Sequence, residues 1–356
     1  MAIKKIGNTR IIREVGRGGM GVVYEGEQEE LERKVAVKEL PAELAVRKDF
    51  VERFRREGLA YARLRHHAIV TVHDLIEKND ALYLITEFVQ GTDLDKLLKS
   101  GGALPPECVA IIGARMAEAL DHVHLHRMVH RDVKPSNIMV DVDGAVKLMD
   151  FGIVKDQEMD QLTKTGLVVG SPPYMAPEAL GGEPPGKPGD IWALGVTLYE
   201  LVTGSRPFIG KDSSTLFGAI RRGTFVPVRR RAPRVPRKLA NVIEQCLRFK
   251  PGARTIASDL AHQLDAAATR ILDGKHPQVR LISLLMERGL IKSEDVTLVD
   301  AANLIINTRS QSSVLIVDEA DFQPRRWPYV LGVMAAGGAV AAYVTGAMAP
   351  LLKWLR

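Results

Sequence analysis

Residues 129–140 read VHRDVKPSNIMV, with His130, Arg131, Asp132, Lys134 and Asn137 set among apolar neighbours. Burying five polar or charged side chains in one short segment is costly unless each has a partner or a task. The chain must therefore build a scaffold around this loop and give the loop chemistry to do. An acid, a cation two residues on and an amide five residues on suit phosphoryl transfer. Asp132 can accept a proton from an incoming hydroxyl, Lys134 can neutralise the transferred group, and Asn137 can hold a divalent ion through its amide oxygen. Thirteen residues later, KLMDFG brings Asp150 as a second, anionic metal ligand, with Phe151 and Gly152 as a packed hinge.

Upstream, VGRGGMGVVYEG places Gly16, Gly18 and Gly21 in G-x-G-x-x-G, followed by Val23. Glycines let two strands fold tightly over an anion and bring backbone N–H groups to phosphate oxygens. A dinucleotide-binding fold uses the same letters but requires a helix after the loop, whereas here the pattern continues as a strand. VAVK follows, with Lys38 among Val35, Ala36 and Val37. That lysine is either a snorkelling surface residue or a fixed cation aimed at phosphates, and the apolar neighbours favour the second. A fixed cation needs a carboxylate, and Glu57 in FRREGLAYARL is the candidate, against the plain alternative of a solvated helical glutamate.

The pattern along the chain predicts an α+β, two-lobed architecture. Residues 9–40 alternate as strands, 48–65 switch to helical spacing, and 70–89 return to paired strands, giving a small antiparallel lobe with one helix. Beyond residue 91 helical patterns dominate, and the second lobe is expected to end near Leu272. Two cysteines, Cys108 and Cys246, suggest neither a disulfide framework nor a thiolate metal site, and the N-terminus has no apolar signal segment. His122, His124 and His126 share no single helix face and have no acidic or thiol partner, so ordinary packing is preferred to metal binding. The formal net charge is +6, and 221–238, RRGTFVPVRRRAPRVPRK, carries no acid. It is either a solvated basic loop or a contact for an anion, an acidic peptide or an anionic lipid. With no finger spacing or aromatic-interleaved basic stripe, nucleic acid is not expected as a partner.

With these parts in order, the sequence resembles the eukaryotic-type protein kinases, specifically the bacterial membrane-associated serine/threonine (Hanks-type) kinases. The resemblance rests on GRGGMGVVYEG, VAVK, VHRDVKPSN, MDFG, MAPE and GDIWALG and covers about residues 9–272. It implies a bilobal catalytic domain with a small lobe over 9–90, a large lobe over 91–272 and ATP in the cleft between them. The ATP contacts implied are Val15, Gly16, Arg17, Gly18, Gly19, Met20, Gly21, Val23, Ala36 and Lys38. Thr86 at the back of the adenine pocket, the hinge residues Glu87 and Val89, and Met139 beneath complete the set. Lys38 is expected to pair with Glu57, Asp132 to act as proton acceptor beside Lys134, and Asn137 and Asp150 to hold magnesium, with manganese as an alternative. Arg131, Glu178, Asp190 and Arg254 are implied as structural, Glu178 pairing with Arg254 and Asp190 bracing the catalytic loop.

Arg131 before the catalytic acid implies an activation-loop phosphate, so Thr163 and Thr165 are the expected autophosphorylation sites, the alternative being two ordinary polar loop residues. Ser171 and Thr255 depart from the family's usual threonine and proline, and His67 replaces another proline. Substrates are expected to be proteins; a pseudokinase scaffold and a small-molecule kinase are the rival readings. After a juxtamembrane stretch over 273–326, either a packed helical extension or a spacer, residues 328–352 run 25 positions without a charge. At ~1.5 Å per residue, such a helix crosses a ~30 Å hydrocarbon core, the alternative being a buried helix, since alanine and glycine make the run only weakly hydrophobic. Trp327 and Trp354 bracket it, and Gly338, Ala342 and Gly346 recur at small-xxx-small spacing that suits a homodimer. The expectation is a single pass through the inner (plasma) membrane, with the kinase domain cytoplasmic and a short tail over 353–356.

Overall fold

The computed structural model describes residues 5–18, 21–40, 48–78, 81–150, 171–183, 186–292 and 295. The chain divides into two units, Met1–Leu304 and Ile305–Arg356, and every described residue belongs to the first. The small lobe is one antiparallel sheet of β1 (Lys5–Ile6), β2 (Thr9–Gly18), β3 (Gly21–Gln28), β4 (Arg33–Glu39), β5 (Val72–Lys78) and β6 (Ala81–Glu87). Its order is β1-β2-β3-β4-β6-β5.

The two faces of β4 explain the lobe. Because strand side chains alternate, Val35 and Val37 point to one side, where they form a fully buried core with Ile6, Tyr83 and Ile85. Ala36 and Lys38 are thereby forced to the other face. Register carries the same sorting across the sheet: Lys38 stands opposite Val23 and Leu84, and Ala36 opposite Glu25 and Thr86. All six of these side chains line one cleft. Gly21 closes the β2–β3 turn at φ +111°, where a Cβ would lie 1.9 Å from the Glu39 carbonyl oxygen. Only glycine fits both the angle and the approach.

Helix α1 (Lys48–Tyr61) packs on β5 and sends Phe54 and Tyr61 into the larger core. That core belongs to the second lobe, built from β7 (Gly91–Asp93), α2 (Leu94–Gly101), α3 (Pro106–Leu125), β8 (Ile138–Asp141) and β9 (Val146–Leu148). It continues through α4 (Lys187–Thr203), α5 (Ser213–Arg222), α6 (Val228–Arg231), α7 (Arg237–Cys246) and α8 (Ala257–Leu272). Helices α3 and α4 are apolar almost all round, as helices at the centre of a lobe must be, and they pack on each other and on α8 and α7 respectively. The lobes are stitched by a parallel bridge, with Val70 N–H donating to the Leu148 carbonyl and Leu148 N–H to that of Ala68, each at 2.9 Å.

The packed unit does not stop at Leu272. A ninth described helix, α9 (Pro277–Glu287), lays Leu281, Ile282, Leu284 and Leu285 into the main core. Each such side chain contributes up to about 1.5–3 kcal/mol when withdrawn from water. Arg280 of α9 meets Glu107 of α3 at 2.9 Å, and Arg288 donates to the Ala103 carbonyl at 3.0 Å. Of the two readings for the segment after Leu272, its first part is therefore the packed helical extension. The boundary was obscured because LISLLMERGLI reads equally as a lobe helix or an amphipathic linker. No helix among the described residues is long and apolar enough to cross a membrane. Residues 328–352 lie outside the described residues, as do 296–326 and 353–356.

Candidate active site

The loop between α3 and β8 is held from below by one buried carboxylate. Asp190, near the start of α4 and 1% exposed, accepts the His130 N–H at 2.9 Å and the Arg131 N–H at 2.8 Å. His124 Nε2 lies 2.8 Å from the same carboxylate. Thus the middle histidine of DHVHLHR is part of the brace, a role that no spacing in the segment separates from ordinary packing. Arg131 and Asp150 adopt φ of +66° and +53°, left-handed conformations that non-glycine residues hold only when their surroundings fix them.

Above this brace the reactive groups converge. Asn137 Nδ2 donates to the Asp132 carbonyl (2.9 Å) and to its carboxylate (2.8 Å). The Lys134 ammonium is 3.0 Å from Asp132 Oδ2 and donates to Ser171 Oγ at 3.0 Å. Ser171 Oγ in turn donates to Asp132 Oδ1 at 3.3 Å. Across the cleft, the Lys38 ammonium sits 2.7 Å from Asp150 Oδ1. Burial sharpens these contacts, since Asp132 is almost fully withdrawn from water and Lys38 and Lys134 are largely so.

Between the lobes lies a cleft of about 520 Å³. Val15, Gly16, Val23, Ala36 and Lys38 line it from the sheet, Thr86, Glu87 and Val89 from the connection after β6, and Met139, Asp132 and Asp150 from the second lobe. The sequence reading missed several other lining groups, among them Leu40, Phe54, Leu84 and Met149, which carry no motif and are recognisable only once the register is known. It also missed Lys147, whose ammonium is 2.6 Å from the Glu87 carboxylate and ties the connection to β9.

Lys38 pairs with Asp150, because β4 aims its ammonium at the carboxylate that follows β9, and half-buried Glu57 on α1 is also engaged. Arg17 does not line the cleft; it is exposed and forks onto Glu14 on its own strand, at 3.1 and 2.8 Å. Gly18 and Gly21 shape the β2–β3 turn without lining the cleft. Gly19, Met20, Thr163 and Thr165 lie outside the described residues.

Four imidazoles lie side by side in a row, tilted against one another, rather than converge. Ring centroids are 4.3 Å apart for His66 and His67, 5.1 Å for His66 and His122, and 4.5 Å for His122 and His126. No group of three histidine, cysteine or acidic side chains among the described residues could hold a metal ion. Burial, with the His67 and His122 rings adding to it, pushes the His66 pKa down from 6.5 to about 4. A histidine kept neutral in this way contributes stability that is complete above the unfolded value and is lost as pH falls through 6.5 toward 4. Thermal midpoints are therefore expected to fall on acidification across that window, and less steeply in His66→Gln. Parallel slopes for the two proteins would assign the acid sensitivity elsewhere.

A wide search of known proteins agrees with this geometry. Residues 9–264 match the family described as "Protein kinase domain". The chain belongs to the protein kinase family. Serine/threonine-protein kinase PrkC of Bacillus subtilis is 31% identical over 333 residues, 91% of this chain and 50% of the relative. Serine/threonine-protein kinase PknH of Mycobacterium tuberculosis is 39% identical over 251 residues, 70% of this chain and 40% of the relative. The chain thus spans about half the length of these curated relatives, or less. Among solved structures, Rad53 1-466, crystallised in complex with AMP-PNP, superposes with a TM-score of 0.62 at 26% identity, covering 72% of this chain and 64% of that one. The resemblance read from the sequence, to bacterial Hanks-type serine/threonine kinases, is borne out.

As a protein kinase, the chain also has a tie between the segment after Ser171 and the helical lobe. Arg254 reaches Glu178 with both terminal guanidinium nitrogens, at 2.6 and 2.7 Å. Tyr174 donates to Glu200 at 2.6 Å, and burial pushes both of their pKa values up. These contacts fix the stretch from Ser171 to Glu178, along which the family resemblance expects a polypeptide to lie.

Proposed function

We propose that this chain transfers the γ-phosphoryl group of ATP to serine and threonine hydroxyls of proteins. The observation that carries the reading is the position of Ser171 Oγ, which lies 3.0 Å from the Lys134 ammonium and 3.3 Å from the Asp132 carboxylate. An acid–lysine pair that already holds an alcohol oxygen can hold a substrate's. Asp132 then orients that hydroxyl and takes its proton as the oxygen attacks phosphorus, and Lys134 offsets charge on the transferred group. Lys38 binds phosphate oxygens from the sheet side, and the lining of the cleft accepts a purine between apolar walls.

A divalent cation fits the remaining donors. Asn137 spends its amide N–H groups on Asp132, which leaves its oxygen to accept a cation, and Asp150 offers a hard carboxylate across from it. Magnesium, or manganese in its place, would be held by Asn137 and Asp150 and would supply neutralising charge to the triphosphate.

Three further parts of the proposal concern the segments outside the described residues. Thr163 and Thr165 are the sites of autophosphorylation; a phosphate there adds about two negative charges, which arginine pairs well. Residues 328–352 span the inner membrane, with the packed unit from 9 through α9 on the cytoplasmic side. Pairing through the small-residue face would bring two copies together for phosphorylation in trans. Incubation of the purified chain with labelled ATP, magnesium and a generic protein substrate is expected to label both proteins. Intact mass should report up to two added phosphates, absent in Lys38→Met, and peptide mapping should place them at Thr163 and Thr165. Label confined to a small molecule, or none at all, would sink the reading.

A further inference from the structure

The stretch 221–238 folds into the end of α5, all of α6 and the start of α7, and every one of its eight cations is exposed. Among the described residues none of the eight is in an ion pair. This contrasts with exposed arginines elsewhere, such as Arg10, Arg13 and Arg17, which each meet a glutamate. Glu244 of α7 accepts the Val228 N–H at 2.8 Å instead of a guanidinium. The backbone adds the same sign. Arg237 and Lys238 occupy the first turn of α7, which has no acidic residue and no side-chain cap, so two cations sit at the positive end of a helix dipole. Like charges collected in this way oppose folding, and an anion relieves them.

The surface is also tied to the backbone and lies beside the segment after Ser171. The Arg229 guanidinium donates to the Val235 carbonyl at 3.1 Å, and Arg221 donates to the Leu180 carbonyl at 3.2 Å, two residues beyond Glu178. Helix α5 packs against the turn Pro172–Tyr174 that directly follows Ser171. Phe249, 50% exposed, borders the patch against Gly223, and Val226 is 40% exposed on the same loop. Guanidinium forks match carboxylates in a bidentate way that a diffuse charged surface does not need.

We propose that this arginine surface is a docking site for an acidic segment of the protein substrate, engaged beside the groove where the phosphorylated residue lies. It deepens the phosphoryl-transfer reading by naming a substrate class, proteins with an acidic stretch separate from the phosphorylated residue. Binding of a labelled octaglutamate peptide to the full chain, followed by fluorescence anisotropy, needs no turnover and so stands if that reading fails. Binding should weaken with salt and drop about tenfold or more in Arg229→Glu/Arg230→Glu/Arg234→Glu, but not in Arg63→Glu/Arg65→Glu, which reverses exposed charges of the small lobe. In turnover, joining octaglutamate to a serine peptide through a flexible linker should lower KM about tenfold with kcat unchanged, and only in a chain with the arginines intact. No binding, equal loss in both variants, or an unchanged KM overturns the proposal. So does capture of the chain by phosphatidylglycerol vesicles that the arginine reversal abolishes while octaglutamate binding persists, because the surface would then belong to a membrane.

Discussion

Asp132→Asn is expected to lower kcat for peptide phosphorylation by about a hundred- to ten-thousandfold, the range that a positioned general base supplies. ATP affinity should stay within about twofold, because the sheet and the connection after β6 supply most of the lining that would hold the nucleotide and Asp132 is not among those groups. The geometry makes the substitution informative. Asparagine keeps the size of the side chain and its backbone carbonyl, so Asn137 Nδ2 retains that acceptor, 2.9 Å away. What is lost is the negative charge facing Lys134 at 3.0 Å, and with it the basicity that takes the proton of a hydroxyl held as Ser171 is. An amide can hold a hydroxyl in place but cannot take its proton. Single-turnover rates and a fluorescent nucleotide titration separate the two effects. A variant that transfers phosphate at the wild-type rate would show that Asp132 is only an architectural acid, and a large loss of ATP affinity would move its role to binding.

The parts legible in the sequence were those in which chemistry and spacing coincide. The loop 129–140 could be read because so many polar groups in an apolar segment need a reason, and the β4 alternation because period two is imposed by the strand itself. The brace by Asp190 was open to a motif reading but its depth was not. That His124 joins His130 N–H and Arg131 N–H on one carboxylate depends on α3 and α4 crossing, a contact separated by 66 residues. Partner choice was least legible. A lysine needs a carboxylate, but that Asp150 supplies one is decided by where the β9 loop stands relative to β4, and sequence spacing holds no such information. The same is true of α9, whose apolar face declares burial without declaring against what.

Arg254→Met is expected to destabilise the chain by about 3–5 kcal/mol, the cost of stranding a buried charge after its partner is removed. The Arg254 side chain is 0% exposed and all five of its N–H groups are engaged. Two go to the Glu178 carboxylate, and the others to the carbonyls of Arg248 (2.8 Å), Pro188 (2.9 Å) and Phe249 (3.0 Å). Its guanidinium also lies over the Trp192 ring, 4.9 Å from the centroid. Methionine fills most of the volume but leaves the carboxylate and three carbonyls without donors, so the loss is electrostatic rather than a cavity effect. Arg254→Lys should recover only part of it, because an ammonium has three donors and no fork to match a carboxylate. Adding Glu178→Gln to Arg254→Met should return stability relative to the single variant, since the stranded charge is gone, and that sign distinguishes a buried ion pair from simple packing. Denaturant titration of the four proteins measures it. A single variant within about 1 kcal/mol of the parent, or a double variant that is worse than additive, would mean that the segment after Ser171 is held by Tyr174 and α5 instead. If the expectation holds, peptide phosphorylation should fall with stability, because the same bond fixes the Glu178 end of the segment that begins at Ser171.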